Sequence, residues 1–193
     1  IFKSYKRCSQ NKEEFRTTLN IINLDSGPVT VVDSQISELI KNRIRDKYPQ
    51  QKWEFLSEED KKYNNFIFKS KWVWIIDPLD GTKDFIKDTG EYAMHLALAY
   101  EKNIILGFVL IPDKNQLWIS VYGEGTWFED EESFKNYPKT TKSKNLNELK
   151  ILTSKSHMHP KFESLLEKIK PKEIQGMGSI GYKISSILEG NGD

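Results

Sequence analysis

Two aspartates, Asp77 and Asp80, follow a run of bulky apolar residues in the segment WVWIIDPLDGTKDF. The apolar run predicts a buried strand, and the proline between the aspartates fixes the backbone φ angle, which predicts a sharp exit from that strand. Such a turn can direct both carboxylates and the carbonyl oxygen of Leu79 toward one point. Oxygen ligands of this kind are those that Mg²⁺ prefers. The alternative interpretation is that Asp80 caps the helix that begins at GTKDF.

The spacing of the two aspartates excludes two other kinds of site. An EF-hand loop places acidic residues at its positions 1, 3 and 5, whereas a loop that starts at Asp77 has Leu79 and Gly81 at the third and fifth positions. The aspartyl-phosphate phosphatases of the haloacid dehalogenase type carry D-x-D-G-T, and here one additional residue separates the two aspartates. Neither of these sites is therefore predicted.

Further carboxylates lie near the ends of other predicted elements. The segment SEED, with Glu58, follows the strand-like WEFL, and Asp33 ends PVTVVD. Both side chains could reach the same cavity as the aspartate pair. A segment such as SEED is by itself usually a solvated turn, and an N-cap at the start of a helix is the alternative interpretation of Asp33.

The elements that must position these residues follow from hydrophobic periodicity. The segment VTVVDSQISELIKNRIRDKY has helical spacing that ends before Pro49, and its predicted buried face consists of Val32, Ile36, Leu39, Ile40 and Ile44. The opening IFKSYKRC indicates the last turns of a helix, and the polar residues 9–28 end in the turn signal DSGP.

The middle of the chain predicts an antiparallel meander. EYAMHLALAYE, KNIILGFVLIP and NQLWISVYGEGTWFE indicate three successive strands, and Trp72, Trp74 and His95 are interpreted as sheet or core residues. A basic, exposed connector, KTTKSKNLNELK, then leads to the strand LKILTSKS and to the amphipathic helices PKFESLLEKIK and YKISSILEG. Helices, a mainly antiparallel sheet and a mixed segment together predict the α+β class.

Composition narrows the class of protein further. A net charge of +1 gives no reason to expect a nucleic-acid polymer or a membrane surface as partner, and the single cysteine excludes an internal disulfide. No apolar run approaches the roughly 20 residues of a membrane-spanning helix. We expect a soluble intracellular protein.

The segments PVTVVD, LSEED, WIIDPLDGTKDF and GSIGYK stand in the order and at the spacing of one family. From IFKSY to LEGNGD the chain resembles the Mg²⁺-dependent, lithium-sensitive phosphatases related to inositol monophosphatase. The resemblance implies a layered αβαβα sandwich, with an N-terminal α+β domain at residues 1–145 and the start of a C-terminal α/β domain at residues 146–193. It also implies a cytoplasmic hydrolase that can form a homodimer.

The resemblance implies a role for each acidic residue. Glu58, Asp77, Asp80 and the Leu79 carbonyl would bind two or three Mg²⁺ ions, with Asp77 bridging between the ion of Glu58 and the ion of Asp80. Bound Mg²⁺ activates a water and clamps the transferring phosphoryl group.

Other residues would handle the water and the substrate. Thr82, hydrogen-bonded to Asp33, would orient the water, and Glu58 would help to accept its proton. The N–H groups of Gly81 and Thr82 would hold phosphate oxygens at a helix N-terminus. The substrate-binding residues implied by the resemblance are Leu79, Asp80, Gly81, Thr82, His157, Ser179 and Lys183.

Within the family, the sequence resembles the 3'(2'),5'-bisphosphate nucleotidases of the CysQ kind. DPLDGTKDF, the Ser156–His157 pair and the segment from Gly178 to Lys183 carry this similarity. It implies hydrolysis of adenosine 3',5'-bisphosphate to AMP and phosphate, and a role in sulfur metabolism. An inositol or sugar monophosphatase with the same metal chemistry is the alternative.

One family motif is absent from the chain. The family supplies another aspartate from a W-D-x-A-A-G segment well beyond the position of Asp193, and no tryptophan of this chain precedes an aspartate. The chain also begins at Ile1 without a methionine, so we expect it to be part of a longer protein. A truncated or inactive relative that serves as a binding or dimerisation module is a further alternative.

Overall fold

The computed structural model of the chain describes residues 1–8, 11–24, 27–60, 68–139, 144–155 and 159–193. The helices in these ranges are α1 (Phe2–Cys8), α2 (Lys12–Thr18), α3 (Val31–Lys47), α4 (Thr82–Ile86), α5 (Pro160–Ile169) and α6 (Ile180–Leu188). The strands are β1 (Ile22–Leu24), β2 (Gly27–Val29), β3 (Glu54–Ser57), β4 (Trp72–Asp80), β5 (Ala93–Tyr100), β6 (Asn103–Ile111), β7 (Gln116–Val121), β8 (Gly125–Glu129), β9 (Lys150–Ser154) and β10 (Glu173–Met177). The predicted α+β class is confirmed.

A six-stranded sheet in the order β3-β4-β5-β6-β7-β8 forms the centre of the fold. The pair β3–β4 is parallel and the remaining pairs are antiparallel, so the predicted meander is confirmed. NQLWISVYGEGTWFE was expected to be one strand, but it forms a hairpin of two. Gly123 and Gly125 adopt φ angles of +80° and +99°, which let the chain reverse between β7 and β8.

An aromatic cluster packs the N-terminal helices against one face of this sheet. Phe2 of α1, Phe15 of α2 and Phe85 of α4 are buried together with Tyr92, which precedes β5. The Phe85 and Tyr92 rings meet edge to face with centroids 4.9 Å apart, a geometry that aromatic pairs favour. The helix predicted from IFKSYKRC is confirmed.

The helix α3 lies on the same face and has well-defined ends. The Thr30 hydroxyl caps its first turn, and the carboxylate of Asp33 accepts a hydrogen bond from the backbone N–H of Thr30, which completes a capping box. The helix ends at Lys47, just before Pro49, as predicted. The N-cap residue is thus Thr30 and not Asp33, which takes part in the cap as the third residue of the helix.

The buried face of α3 differs from the prediction at one position. Leu39 is 44% exposed, whereas the polar residues Ser37 and Lys41 are buried. Together with Asp33, these two form a stripe with a spacing of four residues, which lies on one side of a helix. Apolar periodicity did not reveal this polar stripe, in which Ser37 and Lys41 pair with the acidic turn described below and Asp33 pairs with Thr30.

The second face of the sheet packs against α6. Tyr182 and Leu188 of that helix pack against a buried cluster formed by Ala93, Ile111 and Trp118 of the sheet. A smaller parallel pair, β9–β10, connected through α5, stands beside it. The strand β9 and both helices were predicted, whereas β10 was not.

The remaining predictions concern the N-terminal connection and the tryptophans. Residues 9–28 include α2, β1 and the first two residues of β2, which pairs antiparallel with β1, and none of these elements was predicted. Residues 25–26 of the expected turn and residues 140–143 of the basic connector lie outside the described ranges. Trp74 packs edge-on against Trp53 at 5.9 Å, and Trp72 packs on Tyr100 at 4.6 Å. Both are sheet residues, as predicted. Among the described residues, no helix has the length and apolarity needed to cross a membrane.

Candidate metal and phosphate site

The segment that carries the two aspartates is a bulged strand end and not the turn expected from sequence. Strand β4 continues to Asp80, and its register against β5 shifts between Asp77 and Asp80. Pro78, which is fully buried, occupies this irregular stretch, where a residue without an N–H group is tolerated. The bulge brings the side-chain ligand atoms of Asp77, Asp80 and His95 within 4.8 Å of one another.

Asp80 does not cap the helix that follows it. The helix α4 begins after Gly81, and no side chain caps its first turn. The Asp80 carboxylate instead accepts hydrogen bonds at Oδ2 from the Ser179 hydroxyl at 2.5 Å and from the Gly181 N–H at 2.9 Å. Nε2 of His95 lies 3.0 Å from the same oxygen. Asp80 therefore joins β4 to the first turn of α6.

The charges of Asp80 and His95 support each other. Burial acts to raise the pKa of Asp80, but the hydrogen bonds from His95, Ser179 and Gly181 outweigh it and hold the pKa below its ordinary value. Burial acts to lower the pKa of His95, and the neighbouring carboxylates, Asp80 foremost, raise it above its ordinary value. Asp80 is thus held as an oriented anion.

The pKa of Asp77 is shifted in the direction opposite to that of Asp80. Burial, together with the nearby carboxylates of Glu58 and Asp80, raises its pKa from 3.8 to about 7. The Glu58 side chain is also within hydrogen-bonding reach of Asp77. The charge of His95 offsets only part of the burial and repulsion that raise the pKa of Asp77.

We expect the metal-free protein to lose stability as the pH rises from about 4 to about 7. The folded state retains a proton on Asp77 over this window while the unfolded state has released it, so each pH step favours unfolding. Thermal melting in the presence of a chelator should show the melting temperature falling across the window, and Mg²⁺ should restore it above pH 7. In Asp77→Asn, which has no titrating carboxyl at this position, the fall should be smaller, and an unchanged slope would contradict the assignment.

The acidic turn after β3 is held by the polar stripe of α3. The hydroxyl groups of Ser37 and Ser57 are 2.9 Å apart, and both residues are buried. Asp60 accepts hydrogen bonds from the Ser57 N–H at 2.9 Å and from Lys41 Nζ at 3.1 Å. These contacts fix the backbone on both sides of Glu58, so the SEED segment is a structured part of the site.

Two further carboxyl groups lie beside Glu58. Burial and the charges of Asp33, Glu58 and Asp60 raise the pKa of Glu59 from 4.5 to about 7, and Lys41 opposes this rise. Burial also raises the pKa of Asp33 above its ordinary value, although its hydrogen bonds from the capping box oppose the shift. Burial, reinforced by neighbouring carboxylates, thus raises the pKa of Asp33, Glu59 and Asp77 alike.

The expected hydrogen bond between Thr82 and Asp33 does not form. The Thr82 hydroxyl donates to the Leu79 carbonyl oxygen at 3.1 Å, and the Oδ2 atom of Asp33 accepts from the hydroxyl and the N–H of Thr30. The capping box of α3 occupies Asp33 locally, and the bulge turns the Leu79 carbonyl toward the first turn of α4. The prediction of this pair was therefore wrong, although both side chains line the same cavity.

A cavity of about 310 Å³ opens in front of these residues. It brings together several of the predicted site residues with the β2 strand and the loop before α6, and its lining includes Asp33, Glu58, Glu59, Asp80, Gly81, Thr82, Ser154 and Gly178. Gly81 has a φ angle of +91°, and a Cβ there would lie 3.0 Å from the Glu91 carbonyl oxygen. Only glycine fits this point of close approach without strain.

The predicted substrate residues have different positions. Ser179 is only 1% exposed, and its hydroxyl is committed to Asp80. Lys183 is near the same loop, where its Nζ donates to the Gly178 carbonyl oxygen at 2.8 Å. His157 lies outside the described residues. The substrate roles of all three therefore stay predictions.

Sequence reasoning missed His95 as a member of the site. The alternation of His95 with apolar residues indicated a strand. Alternation does not show that this strand pairs with β4, and only that pairing brings His95 to the aspartates. The antiparallel pairing sets His95 opposite Asp77. Glu59 was also missed, because a second acid after Glu58 is indistinguishable in sequence from a solvated turn.

The residues of this site fit a divalent cation. The side-chain ligand atoms of Asp77, Asp80 and His95 converge, and burial together with the nearby carboxylates of Glu58 and Asp80 raises the pKa of Asp77. Oxygen donors of this number and hardness suit Mg²⁺ better than softer metals. Glu58, Asp77 and Asp80 are the carboxylates that would hold the ion, and His95 orients Asp80 from the side.

A sequence model of the family described as "Inositol monophosphatase family" matches residues 4–193. The chain belongs to the inositol monophosphatase family.

The 3'(2'),5'-bisphosphate nucleotidase CysQ of Buchnera aphidicola is 33% identical over 168 residues, and the CysQ of Escherichia coli K12 is 29% identical over 168 residues. Each alignment covers 86% of this chain but only 60% and 64% of the relative, so the chain spans about three fifths of the length of these relatives. The Nus factor SuhB of Pasteurella multocida is 32% identical over 130 residues, which cover 67% of this chain and 45% of that protein.

Solved structures of inositol monophosphatase-like proteins have the same fold. The extragenic suppressor protein suhB from Bartonella henselae superposes with a TM-score of 0.80 at 23% identity, over 100% of this chain and 71% of that chain. Staphylococcal inositol monophosphatase-1, in a LiCl-soaked inhibitory complex, superposes with a TM-score of 0.75 at 21% identity, over 100% of this chain and 73% of that chain. The fold that the sequence resemblance implied is thus confirmed.

Proposed function

We propose that the protein containing this chain is a Mg²⁺-dependent hydrolase of phosphate monoesters, and that it converts adenosine 3',5'-bisphosphate to AMP and phosphate. The observation that supports this most directly is the cavity lined by Glu58 and Asp80, with Asp77 beside both. A polar cavity with an excess of carboxylate oxygens suits a metal and the phosphate that it binds.

The protein's own residues prepare this cavity before a substrate arrives. Three hydrogen-bonding partners hold Asp80 in one orientation, and the stripe on α3 holds the turn with Glu58. Fixed ligands of this kind need no reorganisation at the moment of reaction. A cation bound between them would lower the pKa of a water molecule and reduce the charge on the phosphoryl oxygens.

Two side chains are proposed to handle the attacking water. The Thr82 hydroxyl donates to the Leu79 carbonyl oxygen, so its lone pairs are directed to accept a hydrogen bond from a water in the cavity. Glu58, which lines the same cavity, is proposed to accept the proton. The backbone N–H groups of Gly81 and Thr82 are proposed to bind phosphate oxygens.

The choice of substrate rests on the CysQ relatives. They are named 3'(2'),5'-bisphosphate nucleotidases, and they match most of this chain at 29–33% identity. Lys183 and His157 are proposed to contact the part of the nucleotide that is not cleaved. Inositol 1-phosphate is the competing substrate, because solved structures with the same fold are named inositol monophosphatases.

We expect the protein, at its full natural length and with Mg²⁺, to hydrolyse adenosine 3',5'-bisphosphate with a higher kcat/KM than inositol 1-phosphate. Released phosphate should be measured for both substrates, and a chelator should stop both reactions. Undiminished turnover in excess chelator would contradict the metal assignment. A preference for inositol 1-phosphate would overturn the nucleotidase proposal while preserving the phosphatase, and inactivity on both would favour the non-catalytic alternative. Inhibition by millimolar-range lithium is expected in the same assay.

A further inference from the structure

An ion pair at the rim of the cavity connects two loops that are distant in sequence. Nζ of Lys155, the residue after β9, lies 2.6 Å from Oε2 of Glu91 and 3.5 Å from Oδ1 of Asp84. Glu91 stands just before β5, and Asp84 is a buried residue of α4 that lines the cavity. Lys155 thus joins the C-terminal parallel strands to the segment that leaves the metal site.

Glu91 also holds the loop that precedes α6. Its Oε2 atom accepts a hydrogen bond from the Gly178 N–H at 2.8 Å, and its carbonyl oxygen accepts one from the Ser179 N–H at 3.2 Å. A Cβ atom at Gly178 would lie 2.7 Å from that same carbonyl oxygen. The loop therefore sits in a close-fitting position that Glu91 defines with both its backbone and its side chain.

The position of this loop is transmitted to Asp80. Ser179 is held by Glu91 through its N–H and donates its hydroxyl to Asp80, while the Gly181 N–H donates to the same carboxylate oxygen. A displacement of the loop would remove two of the three hydrogen-bonding partners that orient Asp80. Partners of metal-binding carboxylates commonly influence metal affinity by ten- to a hundredfold.

We propose that Glu91 and Lys155 are positioning residues for the metal site. Lys155 holds the Glu91 carboxylate against the Gly178 amide, and Glu91 thereby keeps Ser179 and Gly181 on Asp80. This inference rests on the proposed function of the site as a Mg²⁺-dependent phosphatase. Neither residue contacts the reacting atoms, and both act through the loop before α6.

Two pairs of variants distinguish the contribution of charge from that of hydrogen bonding at Glu91 and Lys155. Glu91→Ala removes both the charge and the acceptor for Gly178, whereas Glu91→Gln keeps an oxygen that can accept that hydrogen bond. Lys155→Met removes the charge and keeps an apolar stem, whereas Lys155→Arg keeps the charge. Lys71→Met is the matched control, because Lys71 and Glu101 form an exposed ion pair of similar length elsewhere on the sheet.

Calorimetric titration with Mg²⁺ and steady-state kinetics of the full-length protein test the proposal. We expect Glu91→Ala to weaken Mg²⁺ affinity about ten- to a hundredfold. Because the pair is partly exposed, we expect Lys155→Met to weaken it only about two- to fivefold. Glu91→Gln should fall between the wild type and Glu91→Ala, Lys155→Arg should recover the wild-type affinity, and Lys71→Met should leave it unchanged. The loss should appear in kcat measured at limiting Mg²⁺ more than in KM.

A merely structural role would give a different pattern. Lowered melting temperatures for Glu91→Ala and Lys155→Met, with unchanged Mg²⁺ affinity of the folded protein, would overturn the proposal, and so would a failure of Lys155→Arg to recover the affinity. Failure of the proposed function is distinguishable from these results. In that case the wild type hydrolyses no phosphate monoester, whereas the calorimetric comparison still measures how the variants affect the site.

Discussion

Asp80→Asn is expected to reduce Mg²⁺-dependent hydrolysis by at least about a hundredfold. Asparagine keeps one side-chain oxygen for the N–H and hydroxyl donors of α6, but it loses the negative charge that a cation requires. The loss of charge-assisted hydrogen bonds and the relief of repulsion with Asp77 oppose each other in the metal-free protein. We therefore expect the melting temperature to change by no more than about 4 °C, which corresponds to about 1 kcal/mol for a chain of this size.

Phosphate release and thermal melting of the purified variant would measure both effects. Asp46→Asn provides a matched control, because Asp46 is an exposed carboxylate on α3 outside the cavity lining. The control should keep wild-type turnover. A normal rate for Asp80→Asn would show that Asp80 is not a metal ligand, and a large loss of stability would show that its hydrogen bonds to α6 are mainly structural.

Gly178→Ala is the second substitution with a large expected effect. The added methyl group would overlap the carboxylate of Asp84 and approach the Glu91 carbonyl oxygen to 2.7 Å, so the loop must move away from both. Overpacking of this kind typically costs about 1–3 kcal/mol of unfolding free energy. Because the loop carries Ser179 onto Asp80, a shift of about 1 Å is expected to lower kcat by about a hundredfold.

Gly107→Ala is the control for this substitution. Gly107 lies within strand β6, and a Cβ there would have no atom within 4 Å. Its replacement should leave turnover unchanged and alter stability only slightly. Denaturant unfolding and steady-state kinetics of both variants would test the expectation. Equal effects of the two substitutions would show that the close fit of the Gly178 loop does not determine activity.

The sequence predicted the local elements of the site well where one signal dominated. The apolar run before Asp77 indicated a buried strand, and the structure confirms it. The order of helix, strand and acidic segment also led to the inositol monophosphatase family, which the family match confirms. The sequence likewise indicated where α3 ends, because proline removes a donor and limits the residue before it.

Predictions from periodicity failed where polar contacts or strand pairing determined the structure. Leu39 was assigned to the core by its spacing, but the helix is rotated so that Ser37 and Lys41 face the acidic turn. Similarly, the aspartates were placed in a turn, whereas β4 extends through them because its pairing with β5 continues beyond the bulge. Periodicity reports which side chains are apolar, and it contains no information about which polar groups satisfy one another.

The sequence by itself therefore determined the residue types of the site and the local elements that carry them. The tertiary structure decided which distant residues complete it. Ser179 and Gly181 donate hydrogen bonds to Asp80 from sequence separations of 99 and 101 residues. Gly178 donates one to Glu91 from a separation of 87 residues. His95 was assigned to a strand correctly, but only the antiparallel register places it beside the two aspartates. Such contacts depend on how strands pair and how helices pack over the whole chain, because hydrogen-bonding partners far apart in sequence leave no local pattern.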